Sequence, residues 1–124
     1  MYKTINGWTK AKMIEQIKLK NNGERSVERF SNGDILPSCR YRGTNDNACA
    51  VGCFIPDTLY VESMEYRGTI ELLRKFSTLK EHMPLSENAM EMLQILHDRA
   101  SDHEDVRDRM INWININVTD EETA

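Results

Sequence analysis

Residues 86–100, SENAMEMLQILHDRA, carry the clearest local instruction in the chain. Ser86 can accept a hydrogen bond from a free backbone N–H at a helix start, and Leu85 and Met90 are spaced as a hydrophobic staple across it. Ala89, Met90, Leu93, Leu96 and Ala100 then recur at helical spacing and define a face to bury. Pro84 breaks the chain just before. A helix from Ser86 to about Ala100 therefore anchors the fold.

Helical patterning continues on both sides of this segment. Asp102 opens a last helix, with Glu104 and Asp105 placed to favour the positive end of its dipole. Val106, Met110, Trp113 and Ile114 form its stripe. Upstream, Ile70, Leu72, Leu73 and Phe76 predict a short amphipathic helix over 69–76. Near the start, Ala11, Met13, Ile14 and Ile17 predict a helix over 9–22, capped by Thr9 and stopped by Gly23. Between these helices the pattern changes. Cys39-Arg40-Tyr41-Arg42 alternates like a short strand, and 43–47, GTNDN, reads as a hairpin loop. The apolar run 48–55, ACAVGCFI, ends at Pro56 and is too short for its period to separate strand from buried helix. The expected fold is mainly α (α+β), one small domain of four to five helices with a short β-hairpin near residues 35–52. Residues 1–119 form the domain and 120–124 an acidic disordered tail.

Composition agrees with an ordinary globular chain. The 124 residues are 40% apolar and 29% charged, with a net charge of -4. No apolar run is long enough to span a bilayer, and the first residues show no apolar core of a signal peptide. The expectation is a cytoplasmic protein with no membrane partner. Charge is uneven: residues 1–50 carry net +4 and residues 51–124 net -8. The acidic excess makes nucleic acid an unfavourable partner.

Three cysteines, Cys39, Cys49 and Cys53, are an odd number suited to a reducing compartment rather than to a disulfide framework. Two chemistries could use them. A structural zinc would need four converging ligands. Cys39, Cys49, Cys53 and His97 are one candidate set, with His82 or His103 as substitutes for the histidine. A nucleophilic site would take Cys39 or Cys49 as thiolate, His97 as base and Asp98 or Asp102 to orient it. Neither has the tight knuckle pairs or local signature that marks such sites. The plainer reading is that the cysteines fill core, with no cofactor and no metal. Arg40-Tyr41-Arg42 is a separate binding candidate, since guanidiniums beside an aromatic suit phosphate, carboxylate or a stacked base. On a strand the two arginines would share one face and Tyr41 the other, leaving salt bridges to the acidic half as their simplest use.

The central segment resembles a group of small bacteriophage and bacterial proteins. That group shares a pattern like C-x-Y-R, a short loop, then C-A-(V/I)-G-x-(L/I)-I-P-D-x-x-Y and a following M-E. Here these are Cys39 to Arg42, Cys49 to Asp57 with Phe54 where the pattern has Leu or Ile, Tyr60, and Met64-Glu65; a later L-Q-x-x-H-D matches Leu93 to Asp98. The likeness covers the sixty positions from Cys39 to Asp98. It implies a phage-type or bacterial cytosolic setting, and the variability of the Cys53 position in the group weakens a three-cysteine zinc site.

Together these readings favour a noncatalytic intracellular binding protein, a phage-encoded modulator or inhibitor of a host protein. Arg40, Tyr41, Arg42, Asp57 and Tyr60 are its binding candidates, and a host or phage protein is its expected partner. The alternatives are a small Cys/His-dependent or zinc-assisted hydrolase, and a scavenger of a nucleotide signal acting through Arg40, Arg42 and Tyr60.

Overall fold

The computed structural model describes residues 2–32, 34, 39–101 and 103–120. Four α-helices make up the frame: α1 (Lys10–Lys20), α2 (Thr69–Lys75), α3 (Glu87–Asp98) and α4 (Val106–Asn117). The mainly helical class expected from the sequence is the observed one. Thr9 caps α1 through the Lys12 N–H, and Ser86 caps α3 through the Ala89 N–H, as their positions predict. The last helix starts later than expected. Asp105 is its cap, accepting from the Asp108 N–H, while Glu104 instead accepts from the Ser101 N–H and pairs with Arg109. Asp102 lies outside the described residues.

α1 and α4 run antiparallel. Gly23 O, just past the end of α1, accepts from the Val106 N–H, while Lys10 at the other end reaches Asn115 O. α3 packs on α2 and on α4. Between them lie Met13, Ile17, Leu72, Leu73, Met90, Leu93, Met110 and Ile114, all fully buried. Each such side chain contributes about 1.5–3 kcal/mol of transfer free energy. Trp113 sits half-buried at the edge, stacked on Tyr2 with ring centroids 5.5 Å apart.

The sheet differs from the expected one. Its two strands, β1 (Tyr2–Lys3) and β2 (Val118–Thr119), pair in parallel and join the two ends of the described chain. Asp120 follows directly, and its carboxylate accepts the Lys10 N–H at 2.6 Å. Asp120 is thus part of the fold, capping α1 from the far end of the sequence, rather than the first residue of a tail. Residues 121–124 lie outside the described residues. The hairpin expected near 35–52 reduces, among the described residues, to one antiparallel bridge between Arg42 and Ala48. Its turn holds Asn45 and Asp46 in left-handed backbone, with φ of 61° and 58°. No ladder extends from it, because the neighbouring N–H groups are taken by other segments: Arg40 by Ser26 O, Thr44 by Val27 O and Ala48 by Lys20 O. Residues 35–38 lie outside the described residues.

The run 48–55 is neither strand nor α-helix. It is a buried turn, with a short 3₁₀ segment over Gly52–Phe54 and every residue nearly inaccessible to water. Such a segment must satisfy its backbone groups from outside a regular ladder. Gln94 Oε1 accepts the Val51 N–H at 3.0 Å, Gln16 donates to Cys53 O at 2.9 Å, and Asn21 donates to Ala48 O at 2.7 Å. Gly52 is required by close approach: a Cβ there would lie 2.1 Å from the carbonyl oxygen of Tyr41.

Candidate functional site

Two sets of the sequence-predicted residues meet in space. The first is Cys39, His97 and Asp98, whose potential ligand atoms all lie within 4.8 Å of one another. His97 is on the buried face of α3, completely inaccessible, at a position where Leu96 had been expected to do the packing. Leu96 is only half-buried, and Gln94 and His97 turn inward instead. They do so because the loops above α3 need polar partners.

Hydrogen bonding determines the state of the imidazole. Its Nε2 accepts the backbone N–H of Ser26 at 3.0 Å, which uses the one lone pair of a neutral ring. The proton therefore sits on Nδ1 and is donated to Asp98 Oδ1 at 2.8 Å. Gln94 Nε2 donates to the same oxygen at 2.7 Å, and the Cys39 thiol also hydrogen-bonds this carboxylate. Burial alone would raise the Asp98 pKa, but the bonds from His97, Gln94 and Cys39 outweigh it and hold the carboxyl below its usual range.

This arrangement has chemical consequences. Neither ring nitrogen presents a free lone pair, so His97 can neither take a thiol proton nor ligate a metal without giving up the Ser26 amide. Burial, reinforced by the Asp98 charge, pushes the Cys39 thiol up to about 12. Burial pushes Cys53 up to about 12 and Cys49 well above its ordinary value. All three cysteines are free thiols. Cys49 and Cys53 do not join the cluster of Cys39, His97 and Asp98. Cys49 instead accepts the Gly52 N–H within its own turn at 3.3 Å. The donor set for zinc does not fit.

The second set is Arg40, Tyr41, Arg42, Asp57 and Tyr60; all but Asp57, which joins through Arg42, touch a residue the sequence did not single out for this role, Glu65. Its carboxylate is buried and accepts the N–H groups of Tyr41 at 2.9 Å and Arg42 at 3.1 Å, together with the Tyr60 hydroxyl. Arg40 spans Glu28, Glu62 and Glu65. Burial works against its charge, but Glu65 and Glu62 more than compensate and hold it more firmly protonated. Tyr41 is buried and donates its hydroxyl to Arg67 O. Arg42 lies over the Tyr60 ring at 4.9 Å, donates to Ile55 O at 2.8 Å and pairs with Asp57 at 2.8 Å. Arg40 and Tyr41 are thus spent on holding the loop in place.

Of the five, Arg42 and Asp57 line a polar trough of about 570 Å³, while Arg40 and Tyr41 line a smaller cleft. Lys18, Lys20 and Arg107 line it with Arg42, facing Asp46 and Asp57. Spacing along the chain offers no hint of this grouping, which brings α1, the central loop and α4 to one place. The smaller cleft, of about 190 Å³, adjoins Cys39, Gln94 and Asp98, with Tyr66 in its wall. Among the described residues no helix is long and apolar enough to cross a membrane.

Comparison with protein families, with curated proteins and with solved structures finds no match to this chain.

Proposed function

We propose that this protein acts by binding and not by catalysis. One observation carries the reading: the one buried imidazole among the described residues, His97, has its Nε2 lone pair committed to the Ser26 N–H and its proton committed to Asp98. A cysteine hydrolase needs a base free to take the thiol proton and a thiol with a lowered pKa. Here the base is occupied, and the thiols are shifted in the opposite direction. The polar residues that resembled chemistry in the sequence work as internal struts, joining loops that have no ladder of their own. With the likeness to small phage and bacterial proteins, the binding role fits a phage-encoded modulator of a host protein in the host cytoplasm.

The test is alkylation of the native protein with iodoacetamide across neutral to alkaline pH, read by intact mass. Cys39, Cys49 and Cys53 are expected to resist labelling while folded and to react fully in denaturant. Rapid native labelling of Cys39 near pH 7, suppressed by His97→Gln, would overturn the noncatalytic reading.

A further inference from the structure

We infer that the trough between the end of α1, Arg42 and the start of α4 is a binding site for a small molecule carrying a di- or polyphosphate. This rests on the reading that the protein binds rather than catalyses, and it names the chemistry of what is bound. Four cations line the trough, Lys18, Lys20, Arg42 and Arg107, against two anions, Asp46 and Asp57. On a chain of net charge -4 this is a local reversal of sign, with an excess of two positive charges. Its volume, about 570 Å³, falls in the range of sites that hold ligands of nucleotide size.

Local helix chemistry explains part of this cluster but not all of it. Lys18 and Lys20 lie in the last turn of α1, where cations suit the negative end of the dipole. Arg107 is the reverse case. It lies in the first turn of α4, where the dipole disfavours a cation. Among the described residues its one hydrogen bond to protein is a long one, 3.4 Å to Asn21 O. Lys18 makes no ion pair among the described residues, and Lys20 has only a 3.8 Å approach to Asp57. Arg42, by contrast, is already oriented by the Tyr60 ring, Ile55 O and Asp57. The trough therefore combines one preorganised guanidinium with three cations whose capacity for an anion is largely unused. Charge-assisted bonds from guanidinium and ammonium groups to phosphate oxygens are the strong kind.

Asp57 is the internal rival for these cations. It lies beside both Lys20 and Arg42, yet its side chain is 69% exposed, so water can take over its solvation when an anion displaces it. A bound phosphate would take its place between them. Arg40 and Tyr60, grouped with Arg42 on the sequence alone, do not line the trough, so phosphate recognition passes to Lys18, Lys20 and Arg107.

The experiment is calorimetric titration of the full chain with pyrophosphate, ADP and adenosine, at low and at near-physiological salt. Pyrophosphate and ADP are expected to bind, more weakly as salt screens the charges, and adenosine is expected not to bind. Arg107→Gln and Lys18→Gln should each weaken pyrophosphate about tenfold, the worth of one charge-assisted hydrogen bond. Asp57→Asn should tighten it. Lys75→Gln, an equal charge change at an exposed site on α2, should leave affinity unchanged. Failure of both phosphates to bind at low salt would overturn the proposal, as would affinity indifferent to Arg107→Gln and Lys18→Gln in variants that melt normally. Either failure leaves the thiol-protection result untouched, so the two readings fail separately.

Discussion

Replacing Glu65 by Ala is the sharpest test, because one buried carboxylate ties Tyr41 and Arg42 at one end of the central loop to Tyr60 at the other. Its removal leaves the Tyr41 and Arg42 N–H groups, now at 2.9 and 3.1 Å from its two oxygens, without acceptors. A buried donor stranded in this way costs about 1–3 kcal/mol. The Tyr60 hydroxyl can turn towards Glu62, and Arg40 keeps Glu28 and Glu62, so those losses are smaller. Two stranded donors at about 2 kcal/mol each give about 4 kcal/mol, in keeping with the cost of breaking a buried charged contact. For a chain of 124 residues the unfolding entropy near the midpoint is roughly 260 cal/mol/K. The melting temperature should then fall by about 15 °C. Glu65→Gln keeps one acceptor oxygen but turns an NH₂ towards the other N–H, so about half that loss is expected. Thermal and urea unfolding followed by Trp8 and Trp113 fluorescence would measure both. A fall of less than about 3 °C for Glu65→Ala would refute the view that this carboxylate organises the loop.

Other consequences are open to the same assays. Gly52→Ala should cost about 3 kcal/mol or abolish folding, since backbone atoms of Tyr41 cannot yield to a methyl group as a flexible side chain would; a melting temperature equal to wild type would show that the contact relaxes. Asp120→Ala should cost about 1 kcal/mol through loss of the Lys10 N–H bond, whereas deleting 121–124 should leave unfolding unchanged. Asp98 has a folded-state pKa below its unfolded value of about 3.9, so its contribution is present above that pH and is lost as pH falls through the folded value. The stability gap between wild type and Asp98→Asn should accordingly be widest near pH 7 and narrow as pH falls below about 3.9, as read from urea midpoints. A gap independent of pH would mean that the carboxylate charge does not matter.

Local features of the fold follow from residues close together in the chain. Thr9 and Ser86 are caps in the structure because capping depends on a side chain and an N–H two or three residues away. The stripe Val106, Met110, Ile114 is buried because period alone places it on one face. The arginines of the 40–42 segment do find carboxylates in the acidic half, at Asp57, Glu62 and Glu65. Met90 and Met110, on the predicted stripes, fill the core. Gln94 and His97 were harder, because their inward turn follows from unpaired backbone groups on distant loops. A polar residue within a helical stripe is the one signal that could have drawn attention to them.

By itself, then, the sequence determined the helices, the caps of α1 and α3 and most of the apolar faces, all of which depend on neighbours within a turn or two. It also supplied the charged residues, but not their grouping. Only the tertiary structure decided that the two ends pair as parallel strands, that the 48–55 run is a buried turn fed by Gln16, Asn21 and Gln94, and that Lys18, Lys20, Arg42 and Arg107 face one trough. The physical reason is the same in each case. A buried backbone group or a lone charge must find a partner, and nothing in chain order says which distant segment will provide it.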